Sequence, residues 1–102
     1  MGKDIKLKLN KSEIAEFCRK NKIIKLSLFG SSLRDDFNPG SDVDILVEFD
    51  PQARIGLIKL AGMEIELSEI IGRKVDLNTP GFISKYYRDK VLAESEVQYV
   101  AS

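Results

Sequence analysis

Residues 42–49 read Asp-Val-Asp-Ile-Leu-Val-Glu-Phe, a segment rich in β-branched and aromatic residues with acidic residues at alternate positions. This composition and alternation predict a β-strand over residues 43–49. Because successive side chains of a strand point to opposite faces, Asp42 and Asp44 share one face. The apolar residues Val43, Ile45, Val47 and Phe49 are then expected to bury on the other face.

The segments on either side of this strand predict alternating helices and strands. Before it, the patterns predict a helix capped by Asn10 or Ser12 and ending at Asn21, a strand over 23–29, and a helical turn near Leu33 and Arg34. After it, they predict a helix over 57–71 ended by Gly72, a strand over 74–78, and a helix capped by Ser84 and ending near Ser95. Residues 97–100 either add a final strand or pack down. The predicted fold is α/β (α+β), a small mixed sheet covered by helices in the order αβ(α)βαβα.

The helix over 57–71 carries an unusually wide apolar stripe. One line of the stripe comprises Leu60, Met63, Leu67, Ile70 and Ile71, and a second comprises Ile58, Ala61 and Ile65. We expect the whole stripe to press the helix onto the sheet, with a partner interface as the alternative. The last helix is expected to turn Ile83, Tyr87 and Val91 inward.

Composition excludes several classes of site. The 102 residues suffice for a single domain, taken as residues 1–102. No apolar run approaches the length needed to span a bilayer and the first residues lack a signal-peptide pattern, so we expect a cytoplasmic protein. One cysteine and no histidine exclude an internal disulfide, a cysteine zinc cage and a Ser-His-Asp triad. Cys18 is expected to be a small core residue.

Charge is balanced overall but uneven along the chain. Residues 1–25 hold eight basic and three acidic residues, a surplus that could meet phosphate or an acidic partner. We favour the simpler interpretation that these basic residues belong to a solvated lysine-rich helix and to the segment that precedes it. No direct binding of nucleic acid is predicted.

Three aspartates form a candidate metal site. Asp42 and Asp44 are like charges on one strand face, an arrangement that is costly unless a cation lies between them. Alone, the pair is weak support for a metal site, because strand aspartates often merely face water. Asp76 lies in the next predicted strand with Val75 and Leu77 on the opposite face, so it joins the pair if the two strands are neighbours. Carboxylates of this kind suit Mg²⁺, and two such ions can serve phosphoryl transfer.

A candidate phosphate site precedes the paired aspartates. Gly30-Ser31-Ser32 follows the apolar strand over 23–29 and is predicted to open a helical turn. Glycine permits close approach of the backbone, and backbone N–H groups and serine hydroxyls donate to phosphate oxygens. Arg34 could pair with phosphate through both arms of its guanidinium. A Gly-Ser-Ser tripeptide is usually only a turn, so its position before the aspartates matters more than its composition.

The order Gly30-Ser31, then Asp42-Val43-Asp44, then Asp76 resembles the signature of the polymerase-β-like nucleotidyltransferase superfamily. More narrowly, residues 29–34 and 41–49 resemble the minimal nucleotidyltransferase (MNT) antitoxins, as does Gly-Arg-Lys-Val-Asp-Leu at residues 72–77. The resemblance spans about residues 12–100. It implies that Gly30, Ser31, Ser32 and Arg34 bind the triphosphate of ATP, and that Asp42, Asp44 and Asp76 are catalytic and hold two Mg²⁺ ions.

The resemblance also implies a partner and a reaction. Members of the family are commonly antitoxins encoded beside a HEPN-domain ribonuclease toxin, and competent members transfer AMP from ATP to a toxin tyrosine. We therefore expect an ATP-dependent protein adenylyltransferase that forms a hetero-oligomer with its toxin. The alternatives are a binding-only antitoxin that acts by occlusion, and a nucleotidyltransferase with a small-molecule acceptor. The complete set of three carboxylates favours activity, and the small size of the domain favours an acceptor presented by a protein.

Overall fold

A computed structural model describes residues 9–30, 42–82 and 85–101 of the chain. The elements are α1 (Lys11–Lys20), β1 (Ile23–Leu28), β2 (Val43–Phe49), α2 (Leu57–Ile71), β3 (Val75–Asn78), a 3-10 turn (Pro80–Phe82), α3 (Lys85–Glu94) and β4 (Glu96–Val100). The predicted turn near Leu33 and Arg34 and the predicted cap Ser84 lie outside the described residues. Elsewhere the predicted elements are confirmed, with ends that shift by one residue in β1 and β3.

The helix α1 begins and ends where its sequence predicts. Asn10 is the N-cap, and its side-chain oxygen accepts a hydrogen bond of 3.1 Å from the backbone N–H of Glu13. Asn21 is the C-cap, and its side-chain amide donates to the carbonyl of Phe17. The inward face is apolar and buried, and it comprises Ile14, Phe17 and Cys18. Cys18 has no exposed surface, which confirms its expected place in the core.

The four strands form one mixed sheet in the order β3-β2-β1-β4. β1 is antiparallel to both β2 and β4, whereas β2 and β3 are parallel. One face of the sheet is apolar and packs with α1 and α2 around a single core, to which β1, β2 and β3 contribute Ile23, Leu26, Leu28, Val43, Ile45, Val47, Val75 and Leu77. Residues at the alternate positions, including Asp44 and Asp76, therefore belong to the opposite face.

The helix α2 packs on the sheet through only one of its two predicted apolar lines. Met63 and Leu67 are buried, and Leu60, Ile70 and Ile71 are partly buried against the core. The prediction that the second line also presses onto the sheet is wrong, because Ile58 is 90% and Ile65 63% exposed and Ala61 is exposed as well. Met63 and Leu67 lie on the opposite side of the helix from this line, so one side alone can meet the sheet.

The last helix is less buried than its pattern predicts. Tyr87 was expected on the inner face of α3 and is exposed, so this prediction is wrong, and α3 has no buried residue. Ile83, the third member of that predicted face besides the half-buried Val91, lies outside the described residues. Within the ranges that the structure describes, no helix is both long enough and apolar enough to cross a membrane.

Candidate active site

Asp44 and Asp76 are direct neighbours in the sheet. The parallel register of β2 and β3 pairs the Cα atoms of Asp44 and Asp76, and adjacent strands lie about 4.8 Å apart. The backbone N–H of Val43 donates to the carbonyl of Lys74 over 2.9 Å, which fixes this register where the two strands begin. Both carboxylates therefore lie side by side on the face of the sheet opposite α1 and α2. Asp44 is half-buried and Asp76 is exposed.

Gly30 lies directly against the Asp44 carboxylate. The backbone N–H of Phe29 donates to the carbonyl of Asp44 over 3.1 Å, so the end of β1 is tied to the start of β2. Gly30 follows with φ of +62°, in the left-handed region that favours glycine. A Cβ atom built on Gly30 would lie 2.5 Å from Oδ2 of Asp44 and 3.3 Å from its Cγ. The backbone angle and the close carboxylate thus both favour glycine at this position.

Asp42 is exposed and lies immediately before β2. It is two residues from Asp44, the spacing that places side chains on one face of an extended segment. The other predicted phosphate ligands, Ser31, Ser32 and Arg34, lie outside the described residues. Gly30, the first residue of that motif, is therefore the part of the predicted phosphate site that the structure places beside the aspartates.

Two side chains of α2 hold β3 from its free edge, a feature that the sequence analysis did not identify. Oε2 of Glu64 accepts a hydrogen bond of 2.8 Å from the backbone N–H of Leu77. Oγ of Ser68 accepts one of 3.0 Å from the N–H of Val75 and donates to the carbonyl of Glu64 over 2.8 Å. These contacts bracket Asp76 on both sides. The signal in the sequence is a pair of polar residues four positions apart, each directly following a buried residue, Met63 or Leu67.

The donor set fits a hard divalent cation such as Mg²⁺. In the described ranges 9–30, 42–82 and 85–101, no three or more His, Cys, Asp or Glu side chains form a cluster that could hold a metal by themselves. Magnesium usually binds through one or two carboxylates and completes its shell with water and substrate phosphates. Adjacent Asp44 and Asp76, with a glycine beside them that admits a ligand closely, match this mode better than a closed protein cage.

The sequence matches one protein family over most of its length. The model of the nucleotidyltransferase domain family matches residues 11–98. Two proteins of Methanocaldococcus jannaschii, both named as candidate protein adenylyltransferases, are 34% and 38% identical to this chain. The alignments cover 83% and 81% of this chain and 89% and 91% of the respective relatives.

Solved structures share the fold. A crystal structure of a toxin–antitoxin with AMP-PNP superposes with a TM-score of 0.74 at 23% identity, covering 92% of this chain and 76% of that one. A candidate minimal nucleotidyltransferase superposes with a TM-score of 0.70 at 25% identity, covering 83% and 85% of the two chains. A complex of the tri-AMPylated HEPN toxin of Shewanella oneidensis with its MNT antitoxin gives 0.65 at 21% identity, covering 99% and 74%.

Proposed function

This chain belongs to the nucleotidyltransferase domain family, and from that membership we propose that it is a magnesium-dependent adenylyltransferase antitoxin. Its resemblance to the minimal nucleotidyltransferases is confirmed by the relatives and structures that it matches. In this proposal ATP is the donor, and the acceptor is a hydroxyl of the cognate HEPN ribonuclease toxin, most simply a tyrosine. The reaction takes place in the cytoplasm.

The observation that carries the proposal is the arrangement of Gly30, Asp44 and Asp76. The end of one strand, the start of a second and the middle of a third bring a glycine and two carboxylates together on the sheet face opposite α1 and α2. Glycine lets the backbone at the end of β1 lie close to Asp44, whereas a side chain at Gly30 would displace that carboxylate. Such a close approach of backbone and carboxylate suits a site that binds phosphate and a cation.

The proposed reaction assigns a task to each residue. The acceptor oxygen attacks the α-phosphorus, the bond from that phosphorus to the bridging oxygen breaks, and pyrophosphate leaves. Asp42 and Asp44 would hold the Mg²⁺ ions, which would supply positive charge to neutralise the triphosphate. Asp76 adds a third carboxylate on the acceptor side and takes the hydroxyl proton. Gly30, Ser31, Ser32 and Arg34 orient the phosphates, and orientation with charge neutralisation supplies most of the acceleration.

The antitoxin role rests on the relatives. Proteins with the same fold have been solved as a complex of an MNT antitoxin with a tri-AMPylated HEPN toxin and as a toxin–antitoxin with AMP-PNP. The relatives at 34% and 38% identity are named for protein adenylylation.

The test is the intact mass of the cognate HEPN protein after incubation with this chain, ATP and Mg²⁺. The proposal expects one or more added AMP groups and loss of ribonuclease activity. Omission of ATP separates it from the binding-only alternative, since an antitoxin that acts by occlusion inhibits its toxin without ATP and leaves the mass unchanged. A toxin that is inhibited but unmodified in the presence of ATP and Mg²⁺ would overturn the catalytic proposal.

A further inference from the structure

The order of the strands decides on which side of the sheet α3 lies. Both β2 and β4 are antiparallel to β1, so β4 runs parallel to β2 and β3. The chain therefore makes two crossovers between parallel strands, β2–α2–β3 towards one edge of the sheet and β3–α3–β4 back to the other edge. Such crossovers are right-handed in about 98% of cases, and two of the same hand that run in opposite directions lie on opposite faces. Because α2 packs on the core face, α3 belongs to the face of Asp44 and Asp76, which we call the catalytic face.

The middle of the catalytic face is covered, in agreement with this placement of α3. Leu46 of β2 and its Cα partner Ser27 of β1 alternate with residues of the core, so both belong to the catalytic face. Leu46 is nevertheless only 2% and Ser27 only 1% exposed, and Leu46 is not part of the core around α1 and α2. The 3-10 turn that follows β3 contacts β2, so the chain turns back over the sheet rather than away from its edge.

The helix α3 turns two tyrosines away from the sheet. Its half-buried residues Arg88 and Val91 are three positions apart and mark the side that faces the sheet. At 100° per residue, Tyr86 lies on the opposite side of the helix and Tyr87 lies on its flank. Tyr86 is 94% and Tyr87 63% exposed. Tyrosine is enriched in protein interfaces and among the residues that carry most of their binding energy.

The strand β4 adds exposed apolar residues to the same face. Val97 and Val100 are the Cα partners of Ser27 and Lys25, and these two residues of β1 flank core residue Leu26. Directly paired residues share a face of the sheet, so both valines belong to the catalytic face. Val97 is 43% and Val100 61% exposed. We define the α3–β4 surface as Tyr86, Tyr87, Val97 and Val100.

A second exposed apolar surface lies on the other side of the molecule. Ile58 and Ile65 project from the side of α2 that faces away from the sheet. A protein bound to them would be separated from Asp44 and Asp76 by α2 and the whole sheet. An acceptor oxygen must come within about 3–3.5 Å of the phosphorus that it attacks. Of these two exposed surfaces, therefore, the α3–β4 surface is the one from which a bound protein can reach the active site.

We propose that the α3–β4 surface is where the cognate HEPN protein docks when it presents its acceptor hydroxyl to Asp76. This inference rests on the proposed function, which supplies the protein acceptor. Exposed apolar surfaces of this kind are typical of sites that bind other proteins. The tyrosines contribute to binding of the acceptor protein and take no part in the chemistry, so their loss affects the affinity for the HEPN protein and spares the catalytic rate.

Calorimetric titration of the HEPN protein, without ATP, into the double variant Tyr86→Ala/Tyr87→Ala tests this surface. The affinity should fall tenfold or more, because truncation of a central aromatic residue removes much of the energy of an interface. With ATP and Mg²⁺, KM for the HEPN protein should rise by a similar factor. The affinity for ATP and kcat at saturating HEPN protein should be unchanged, as should the circular dichroism spectrum.

The matched control is Ile58→Ala/Ile65→Ala, which removes two exposed apolar side chains from the far side of the molecule. It should bind the HEPN protein like the wild type. Wild-type affinity in the tyrosine variant, or an equal loss of affinity in the control, would overturn the proposal.

Photo-cross-linking examines the same surface by proximity. Tyr86→Cys and Ile65→Cys each add an exposed thiol that can carry a benzophenone label, whereas Cys18 is fully buried. Light should join the HEPN protein to the label at position 86 and leave the label at position 65 unreacted. A label at position 86 that joins two copies of this chain, and never the HEPN protein, would overturn the proposal in favour of a contact between copies.

The same experiments separate this proposal from the proposed function. A HEPN protein that binds through Tyr86 and Tyr87 but never gains AMP overturns the catalytic function and leaves the docking surface intact. AMP transfer to the HEPN protein with an unchanged KM in the tyrosine variant overturns the docking surface alone.

Discussion

Asp44 and Asp76 are Cα partners across the parallel β2–β3 pair, on the face of the sheet opposite α1 and α2. The two residues lie 32 positions apart in the chain, and neighbouring residues keep both of them in place. Gly30 leaves room for the Asp44 carboxylate, and Glu64 and Ser68 hold the strand of Asp76 from its outer edge. Substitutions at these supporting residues should therefore change the rate of AMP transfer, although the residues do not touch the substrate. Each such substitution can be compared with a control substitution elsewhere in the chain.

Gly30→Ala should abolish AMP transfer at a modest cost in stability. The alanine Cβ would overlap Oδ2 of Asp44, and the flexible carboxylate would rotate away from its position. The left-handed backbone adds about 1–2 kcal/mol of strain. Transfer is measured by labelled AMP incorporated into the toxin, and stability by urea unfolding.

Gly72→Ala is the matched control for Gly30→Ala. Gly72 is also left-handed, with φ of +80°, but a Cβ there meets no atom within 4 Å. It should lose about the same stability and keep its transfer activity. Equal activities in the two variants would show that the contact of Gly30 with Asp44 has no role in catalysis.

Glu64→Ala should lower both stability and kcat. It removes the acceptor for the Leu77 N–H, and a lost hydrogen bond to a charged group is worth about 1.5–3 kcal/mol. The edge strand would then hold Asp76 less firmly, so kcat should fall more than KM rises. Glu64→Gln keeps an acceptor oxygen and should recover most of the loss.

The control for Glu64 lies two residues further along the same helix. Glu66 forms an ion pair with Lys20 at the surface, and exposed pairs contribute at most about 1 kcal/mol. Glu66→Ala should therefore leave kcat unchanged. A Glu64→Ala variant with wild-type kcat would show that β3 keeps Asp76 in place without help from α2.

Asp76→Asn should separate chemistry from partner binding. Loss of a positioned proton acceptor lowers rates by about 10²–10⁴-fold. Binding of the HEPN protein, measured by titration calorimetry, should be unchanged because the substitution preserves the size of the side chain. A variant that transfers AMP at the wild-type rate would remove Asp76 from the mechanism.

Cys18 should make the protein less stable at high pH. Burial raises the pKa of the Cys18 thiol to about 12, with nearby Arg19 acting in the opposite direction. An unfolded cysteine has a pKa of about 8.5. The neutral thiol therefore contributes its full stabilisation below about pH 8.5. Above it the unfolded chain ionises first, so the free energy of unfolding falls by up to about 1.4 kcal/mol per pH unit until about pH 12.

The pH effect is measured by urea unfolding between about pH 8 and 10.5. In Cys18→Ala the free energy of unfolding should fall less steeply with pH, because the thiol is absent. The variant should be less stable at every pH because the smaller side chain leaves a cavity. The native thiol should also react with a thiol reagent only as fast as the protein unfolds. An identical slope in the alanine variant would contradict the assignment.

Local patterns predicted most of the fold because the signals that carry it are local. The cap Asn10, the stop at Gly72 and the alternation of residues 43–49 each act within a few residues, and each is confirmed. The pairing of strands is not local. The sequence places Asp76 on a strand face, but its position beside Asp44 depends on strand order, which the residue patterns alone leave open.

Exposure was the least predictable property. An apolar residue signals burial without naming the surface that covers it, so Ile58, Ile65 and Tyr87 were expected inside and are exposed. Glu64 was missed for the converse reason. A glutamate in a helix is usually a solvated residue, and its hydrogen bond to the edge of β3 depends on how the helix lies across the sheet.

The most direct test of the central claim compares Asp44→Asn with Glu48→Gln in the transfer of labelled AMP to the HEPN protein. Both carboxylates lie on the same face of β2, but only Asp44 adjoins Gly30 and Asp76. We predict that Asp44→Asn abolishes Mg²⁺-dependent incorporation while still binding the toxin, and that Glu48→Gln incorporates AMP like the wild type. Full incorporation by Asp44→Asn would contradict the account.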